Sequence, residues 1–295
     1  MLRKTSRFRN PEFRDRVAKA RQYERNPNFR KRFKRAAIIL AAFFVLYYLG
    51  VSSRFLVAKV ESGDSNLTAE QITDVLKRMQ KQRIGYLVPK NHFLVLSKTS
   101  LLAALQQELP QVRSIQNFKK RFPDTLAVGI EERTPLYVWQ THANYFLLDQ
   151  DGVIFQRIES FSPETFSQIL ITDQSGSAVK PGDQLGIQPI LDFIVQIKNN
   201  WAASISQTAF VSFSAPGTKS QDLILNTSTG YSVLFDLTRS PQTQLSNLRL
   251  LLSQEIKPET YTGLSYIDLR LPTTAYYCYR DAPCAQDNAT STPKI

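Results

Sequence analysis

The apolar and polar positions of this chain change their spacing several times, and each spacing predicts a different element. A strongly apolar run without any charged residue extends from residue 36 to residue 53. As a helix rising about 1.5 Å per residue it covers about 27 Å, close to the ~30 Å of a bilayer core. A cleaved signal peptide is the alternative, but both the run and the 35 residues before it exceed the usual pattern. The run therefore predicts a single N-terminal transmembrane helix.

Residues 55–134 carry the order strand, helix, helix, strand, strand. A capping box at Thr68 and Gln71 opens the first helix, whose apolar residues recur at helical spacing on one face. Pro110 ends the second helix. The predicted elements are a strand at 55–60, a turn at 63–66, helices at 69–82 and 99–109, and strands at 112–122 and 125–132.

From residue 135 onward, short alternating runs predict a mostly antiparallel β domain with packed helices. Asp151-Gly152 between two apolar runs is a strong hairpin signal. Strands are expected at 136–140, 145–148, 153–156, 168–172, 210–213, 223–226, 232–237, 264–271 and 275–279, with helices at 189–201 and after Pro241. The fold class is α+β. The predicted segments are a basic tail 1–35, a transmembrane helix 36–53, a first domain 55–134, a β domain 135–284 and a disordered tail 285–295.

The net charge of +12 is concentrated before the apolar run. Residues 1–35 hold 14 basic and three acidic side chains, whereas the rest of the chain holds 23 and 22. Basic residues mark the cytoplasmic side of a span, so the bulk of the chain is expected outside the plasma membrane. The nearly neutral exported part argues against nucleic acid as a partner. Anionic lipid is the expected contact of the basic side chains next to the run, Arg30, Lys31, Arg32, Lys34 and Arg35.

Two further features leave alternatives open. The motif at 9–14 recurs at 25–30, which indicates either a docking motif or a solvated tail that sets topology. Cys278 and Cys284 are separated by five intervening residues in the exported part, where a disulfide is possible. They are otherwise two thiols near a frayed terminus.

Residue types that carry chemistry are sparse. The two histidines, His92 and His142, form no ligand spacing with the late cysteines. Glu131 and Glu132 are adjacent on a strand and point to opposite faces, with Arg133 expected to neutralise one of them. Asp268 and Arg270 are expected to form a local ion pair. The sequence predicts no cofactor, no metal, no small-molecule substrate and no enzymatic activity.

Three fragments resemble one family when their order and spacing are taken together. They are RFPDTL at 121–126 followed by ERTP at 132–135, FLLDQDGVIF at 146–155, and YIDLR at 266–270. With a basic leader and one span, they resemble the FtsQ/DivIB family of bacterial cell-division proteins. The resemblance implies that residues 55–134 form a polypeptide-transport-associated (POTRA) domain, and that the protein is a non-enzymatic scaffold of the septum-building divisome.

The resemblance also implies a binding edge for an FtsB/FtsL-type coiled-coil partner near the C-terminus. The corresponding positions are Leu271, where the family often has an aromatic residue, and Tyr279. The uncharged, β-prone run 275–279 independently predicts an edge strand that accepts a partner strand, with Tyr276 and Tyr277 as further anchors. The alternative is that these rings cover the core of their own domain.

Two other functions remain open from the sequence. A membrane-anchored POTRA module of protein export or envelope biogenesis would carry further repeats or a barrel. A membrane-tethered hydrolase would need a concave site with a perturbed acid or nucleophile.

Overall fold

The computed structural model describes residues 16, 27–62, 67–85, 87–205, 208–281 and 284. The first copy of the leader repeat, the turn predicted at 63–66 and the tail at 285–295 lie outside these residues. Five α-helices are described: α1 Pro27–Val51, α2 Ala69–Lys81, α3 Lys98–Glu108, α4 Gln188–Ser204 and α5 Pro241–Gln254. Short 3₁₀ helices occupy Ser53–Phe55 and Pro258–Gly263.

The strands form three sheets in the described part of the chain. The first five are β1 Lys59–Ser62, β2 Arg83–Ile84, β3 Val88–Pro89, β4 Val112–Arg121 and β5 Thr125–Glu132. The other nine are β6 Tyr137–Thr141, β7 Asn144–Leu148, β8 Ile154–Ile158, β9 Ile169–Asp173, β10 Phe210–Ala215, β11 Asp222–Thr227, β12 Ser232–Asp236, β13 Leu264–Asp268 and β14 Tyr276–Tyr279. The described residues divide into two compact units. Unit 1 comprises residues up to 61, 68–97 and 118–127, and unit 2 comprises 62–67, 98–117 and 128 onward.

Helix α1 contains most of the uncharged run. Its large apolar side chains are exposed. Leu40 and Phe43, for example, are each 73% exposed. No helix among the described residues has both the length and the apolar character needed to cross a membrane. The transmembrane helix predicted for residues 36–53 is therefore not confirmed.

The predicted order strand, helix, helix, strand, strand is present between residues 59 and 132. The capping box predicted for α2 is formed, because the Thr68 side chain accepts from the Gln71 backbone and the Gln71 side chain accepts from the Thr68 backbone. The buried face of α2 is the predicted one, Ile72, Val75, Leu76 and Met79. The two-residue strands β2 and β3 form a small hairpin that the sequence did not indicate. The three longer strands form a sheet in the order β1-β5-β4.

Unit 2 contains a nine-stranded sheet in the order β14-β13-β12-β11-β10-β9-β6-β7-β8. Five of its neighbouring pairs are antiparallel. The other three are parallel, which the prediction of a mostly antiparallel domain did not specify. Short hairpins explain the antiparallel pairs, whereas the parallel pairs are joined by connections that include segments such as α5.

One face of this sheet carries the main core. Buried residues alternate along β11 and β12, so Leu223, Leu225, Val233 and Phe235 point to the same side. Helices α4 and α5 contact each other and bury their own apolar residues in the same cluster. Full burial of each such side chain contributes about 1.5–3 kcal/mol. This one-sided core leaves the other face of β11 to β13 with residues that are only partly buried.

A buried ion pair fixes the start of the nine-stranded sheet. Arg133 was expected to pair with Glu131 or Glu132, but its Nη1 donates instead to Asp149 Oδ2 at 2.5 Å. The side chains are only 10% and 2% exposed. Arg133 Nε also donates to the carbonyl oxygen of Pro110 at 3.1 Å. This arginine therefore ties the end of α3 to the β7–β8 turn.

The other oxygen of Asp149 holds the turn itself. Its Oδ1 accepts from the backbone N–H of Asp151 at 3.0 Å and of Val153 at 2.9 Å. Gly152 has a φ of +73°, which an L side chain rarely adopts, as the Asp-Gly hairpin signal predicts. Glu131 accepts instead from Ser114 and Gln116, and these hydrogen bonds, with Ser114 the larger influence, lower its pKa.

We expect Asp149→Asn to destabilise the protein by about 3 kcal/mol, because it leaves the Arg133 guanidinium buried without a counter-charge. The amide oxygen retains the two turn hydrogen bonds. The matched control is Asp151→Asn, because Asp151 is 47% exposed and pairs with Arg113 at 3.1 Å, and it should cost less than about 1 kcal/mol. The free energy of unfolding in denaturant measures both. Equal losses would contradict the role given to the buried pair.

Candidate partner-binding edge

Strand β14 lies at one end of the nine-stranded sheet. Within the described chain it pairs with β13 alone, in an antiparallel register that sets Asp268 opposite Tyr276 and Ile267 opposite Tyr277. The pairing shifts register between Leu264 and Tyr266, which is a β-bulge on the β13 side. The sheet therefore ends in a short, uncharged strand, as the sequence predicted for residues 275–279.

Backbone alternation shows which groups of β14 face away from the sheet. The N–H of Arg280 donates to the carbonyl of Gly263, at the start of β13, at 2.8 Å. Because every second residue of an antiparallel strand faces the same neighbour, Cys278 and Tyr276 also direct their backbone groups toward β13. The N–H and C=O groups of Tyr277 and Tyr279 therefore point to the outer edge.

The side chains of Tyr277 and Tyr279 take a different direction from their backbone groups. Both are half-buried against the main core, and their rings meet edge to face with centroids 5.8 Å apart. The Tyr279 hydroxyl lies 3.1 Å from Thr260 Oγ1. Burial, reinforced by Tyr279 and Glu255, raises the pKa of the Tyr277 hydroxyl. These two rings cover the core of their own domain, which was the alternative to a role as partner anchors.

Tyr276 and Leu271 are the predicted anchors whose side chains are exposed. Tyr276 is 39% exposed and lies on the opposite face from Tyr277. Leu271 is 46% exposed but belongs to the loop between the last two strands, because β13 ends at Asp268 rather than at Leu271 as predicted. The four tyrosine and leucine positions therefore occupy two faces and a loop, not a single surface.

A disulfide joins Cys278 to Cys284, with Cα atoms 5.8 Å apart. It brings Cys284 back to the outer edge of β14. The Cys284 sulfur lies 3.6 Å from the carbonyl oxygen of Tyr277, and its N–H donates to the Cys278 sulfur at 2.9 Å. One of the outward backbone groups is therefore covered by the chain's own terminus.

Two arginines hold the last strands in place. Arg270 pairs with Asp268 at 2.7 Å, as predicted, and also with Asp222 of β11 at 2.9 Å. Its hydrogen bond to Asp268 is the main cause that raises its pKa. Arg239 was not singled out from the sequence, yet its Nη1 donates to the carbonyls of Leu269 and Leu271, both at 2.8 Å. Local sequence patterns do not predict these contacts, because the partners of Arg239 are backbone carbonyls about 30 residues away.

The predicted membrane-surface residues lie in the first turns of α1. Arg30, Lys31, Arg32, Lys34 and Arg35 are all exposed. Elsewhere in the described chain, no three histidine, cysteine or acidic side chains meet in a group that would hold a metal ion.

The comparison with known proteins finds a match for the region that contains strands β6 to β13. Residues 137–270 match the family model for the C-terminal part of the cell division protein FtsQ/DivIB. This region of the chain is similar to the C-terminal domain of the FtsQ/DivIB proteins. The resemblance read from the hairpin at 146–155 and the YIDLR run at 266–270 is thereby confirmed. The match begins with β6 and ends just after β13, so β14 follows the matched region.

One curated relative supports this assignment over a short stretch. The chain is 45% identical over 40 residues to the cell division protein FtsQ of Zymomonas mobilis subsp. mobilis. That stretch is 14% of this chain and 13% of the relative's length. The similarity to FtsQ/DivIB therefore rests on residues 137–270, and strand β14 lies beyond the matched region.

We expect Cys278→Ala/Cys284→Ala to lower the free energy of unfolding by about 2 kcal/mol, the loop-entropy value for a closed loop of about six residues. The reason is that the bond restricts the unfolded chain and holds Cys284 against the edge. Denaturant unfolding measures the change. A reducing agent should lower the free energy of unfolding of the unaltered protein to the value of the variant. It should leave the free energy of unfolding of the variant unchanged. A variant as stable as the unaltered protein would contradict this assignment.

Proposed function

We propose that this protein is a non-enzymatic, membrane-anchored scaffold of bacterial cell division that binds other division proteins through its last strand. Two observations support the proposal: the match to the FtsQ/DivIB domain and the position of β14 at the end of its sheet. The similarity to FtsQ/DivIB supports a role in cell division, and the position of β14 supports binding by strand addition. The observation that carries the proposal is the outward direction of the backbone groups of Tyr277 and Tyr279, of which the Tyr277 carbonyl lies beside Cys284.

Strand addition suits this edge on physical grounds. Backbone N–H and C=O groups at a sheet edge are satisfied by water when free, and an extended partner segment replaces that water with a new ladder. Strand β14 carries no charge and no proline, the two devices that commonly block such pairing. We infer that an FtsB/FtsL-type partner contributes one strand here, at the septum.

The side chains refine which residues select the partner. Because Tyr277 and Tyr279 pack inward, their contribution to binding is through the backbone. Tyr276 presents its ring on the other face, and Leu271 lies beside the β13–β14 loop. A bound segment therefore pairs with the backbone of β14 and places alternate side chains near Tyr276. A charged residue at Tyr279 would also disturb the core, so it is not a clean test of binding.

Tyr277→Pro provides the sharper test. Proline removes the outward N–H of Tyr277 but leaves the hydrogen bonds between β14 and β13 in place. Tyr277→Ala is the matched control, since it loses the same ring packing and keeps the N–H. Capture of the purified coiled-coil partner should be lost with the proline variant and retained with the alanine variant. Both variants should unfold at similar denaturant concentrations. Equal capture by the two variants would exclude strand addition at this residue.

We also propose that helix α1 anchors the chain in the plasma membrane, with its basic start at anionic lipid on the cytoplasmic face. The uncharged run at 36–53 and the exposure of Leu40 and Phe43 support this placement. The basic excess of residues 1–35 supports the orientation.

Leu40→Arg/Phe43→Arg tests the anchor, because charge at the centre of a span costs several kcal/mol on insertion scales. The unaltered protein should remain in the membrane pellet after an alkaline carbonate wash, and the variant should be released. Val195→Arg is the control, since Val195 is 43% exposed on α4. A double variant that stays in the pellet like the control would contradict the anchor.

A further inference from the structure

Unit 1 exposes four large apolar side chains outside helix α1. They form what we call the apolar collar: Ile84, Leu87, Leu94 and Phe122, which are 49%, 54%, 68% and 72% exposed. Leu94 and Phe122 are more exposed than any other large apolar residue described outside α1. Single exposed apolar residues need no explanation, but several in one small region indicate a contact surface.

The collar lies beside the C-terminal end of α1. Backbone hydrogen bonds continue from the helix into the following 3₁₀ turn, through Ser52 to Tyr48 at 2.9 Å and Phe55 to Ser52 at 3.2 Å. Phe55 can therefore lie no more than about 10 Å beyond Ser52. The Phe122 ring is 5.7 Å from the Phe55 ring. These steps place Phe122 near the level at which α1 ends.

The other members of the collar are connected to the same place. The N–H of Phe93, the residue before Leu94, donates to the carbonyl of Phe55 at 2.7 Å, and the Phe93 ring lies 5.9 Å from that of Phe122. Strand β3 contacts α1, and its hairpin with β2 carries Ile84 and Leu87. All four side chains thus belong to segments that contact helix α1 or the residues that directly follow it.

Basic side chains accompany the collar. Lys59 is 72% exposed and Arg121 is 63% exposed, and each has one acidic partner, Asp124 and Glu61 respectively. Lys119 and Arg54 are also exposed. Lys120 donates to the carbonyls of Phe93 and Leu96, at 2.6 Å and 3.1 Å. The segments at 54–61 and 118–124 therefore hold five basic and two acidic residues.

We propose that the apolar collar rests on the outer surface of the bilayer, with Phe122 and Leu94 inserted at the headgroup level among anionic lipids. The proposal rests on the membrane anchor proposed above. Aromatic and leucine side chains flanked by arginine and lysine are the composition that partitions into this interface. Lipid is favoured over a protein partner because the collar continues directly from an apolar helix and carries excess positive charge.

The contact would restrict how unit 1 stands on the membrane. With α1 alone, the 3₁₀ turn after Val51 would be the single point of support. A second contact at Phe122 gives the unit two points of support, so it holds a defined orientation relative to the bilayer. Partner proteins anchored in the same membrane would then meet it at a constant height.

Phe122→Trp tests the contact in the full chain. The variant is reconstituted into vesicles of three parts phosphatidylcholine to one part phosphatidylglycerol, with bromine on the acyl chains near the headgroup. The native tryptophans, Trp139 and Trp201, are 0% and 3% exposed and provide a constant background. We expect the added tryptophan to lose most of its emission in brominated vesicles. Leu94→Trp provides an independent second position, should Phe122→Trp fold poorly.

Glu70→Trp is the matched control in the same unit. Glu70 is exposed in the first turn of α2, about 16 Å along the helix axis from Lys81, which lies two residues before the β2–β3 hairpin. Its emission should be unchanged by brominated lipid. Phe43→Trp reports on the anchor itself and should be quenched by bromine deeper in the acyl chains.

The outcomes separate the collar from the anchor. Quenching of Phe43→Trp without quenching of Phe122→Trp or Leu94→Trp would overturn the collar and leave the anchor intact. Absence of quenching in all three would overturn both. Quenching of the collar positions that persists in vesicles of phosphatidylcholine alone, at undiminished strength, would overturn the role of anionic lipid.

Discussion

The proposed binding mode follows from the position of β14, which pairs on one side only among the described residues. A sheet edge must be covered, blocked or used, because its N–H and C=O groups form a template for any extended chain. Here the edge is short, and the disulfide-linked Cys284 lies against the Tyr277 carbonyl. The strand carries no charge that would repel a partner. An edge with those properties suits the strand addition proposed above.

The surrounding interactions keep this terminal strand in register. Arg270 joins the end of β13 to Asp222 of β11, and Arg239 holds the loop that precedes β14 by its carbonyls. Tyr277 and Tyr279 anchor the strand by packing on the core beneath it. The inward rings therefore fix the backbone of β14, which would preorganise its outward groups for the pairing proposed above.

The sequence predicted the elements well and the direction of side chains less well. The hairpin at Asp149 to Gly152, the capping box at Thr68 and the order of the β strands follow from local turn chemistry and periodicity. The separation of Tyr276 from Tyr277 follows equally from the two-residue period of a strand, but which face meets the core depends on distant helices. The pairing of Arg133 with Asp149, rather than with its neighbours in sequence, also depends on how remote segments meet.

Amide hydrogen exchange would show directly whether a partner strand pairs with the outer edge of β14. The full chain is compared alone and with its coiled-coil division partner, residue by residue across β13 and β14. We expect the amides of Tyr277 and Tyr279 to exchange readily in the free protein and to become strongly protected in the complex, while those of Cys278 and Tyr276 are protected in both. Protection of Tyr277 and Tyr279 in the free protein, or no change when the partner binds, would contradict this expectation.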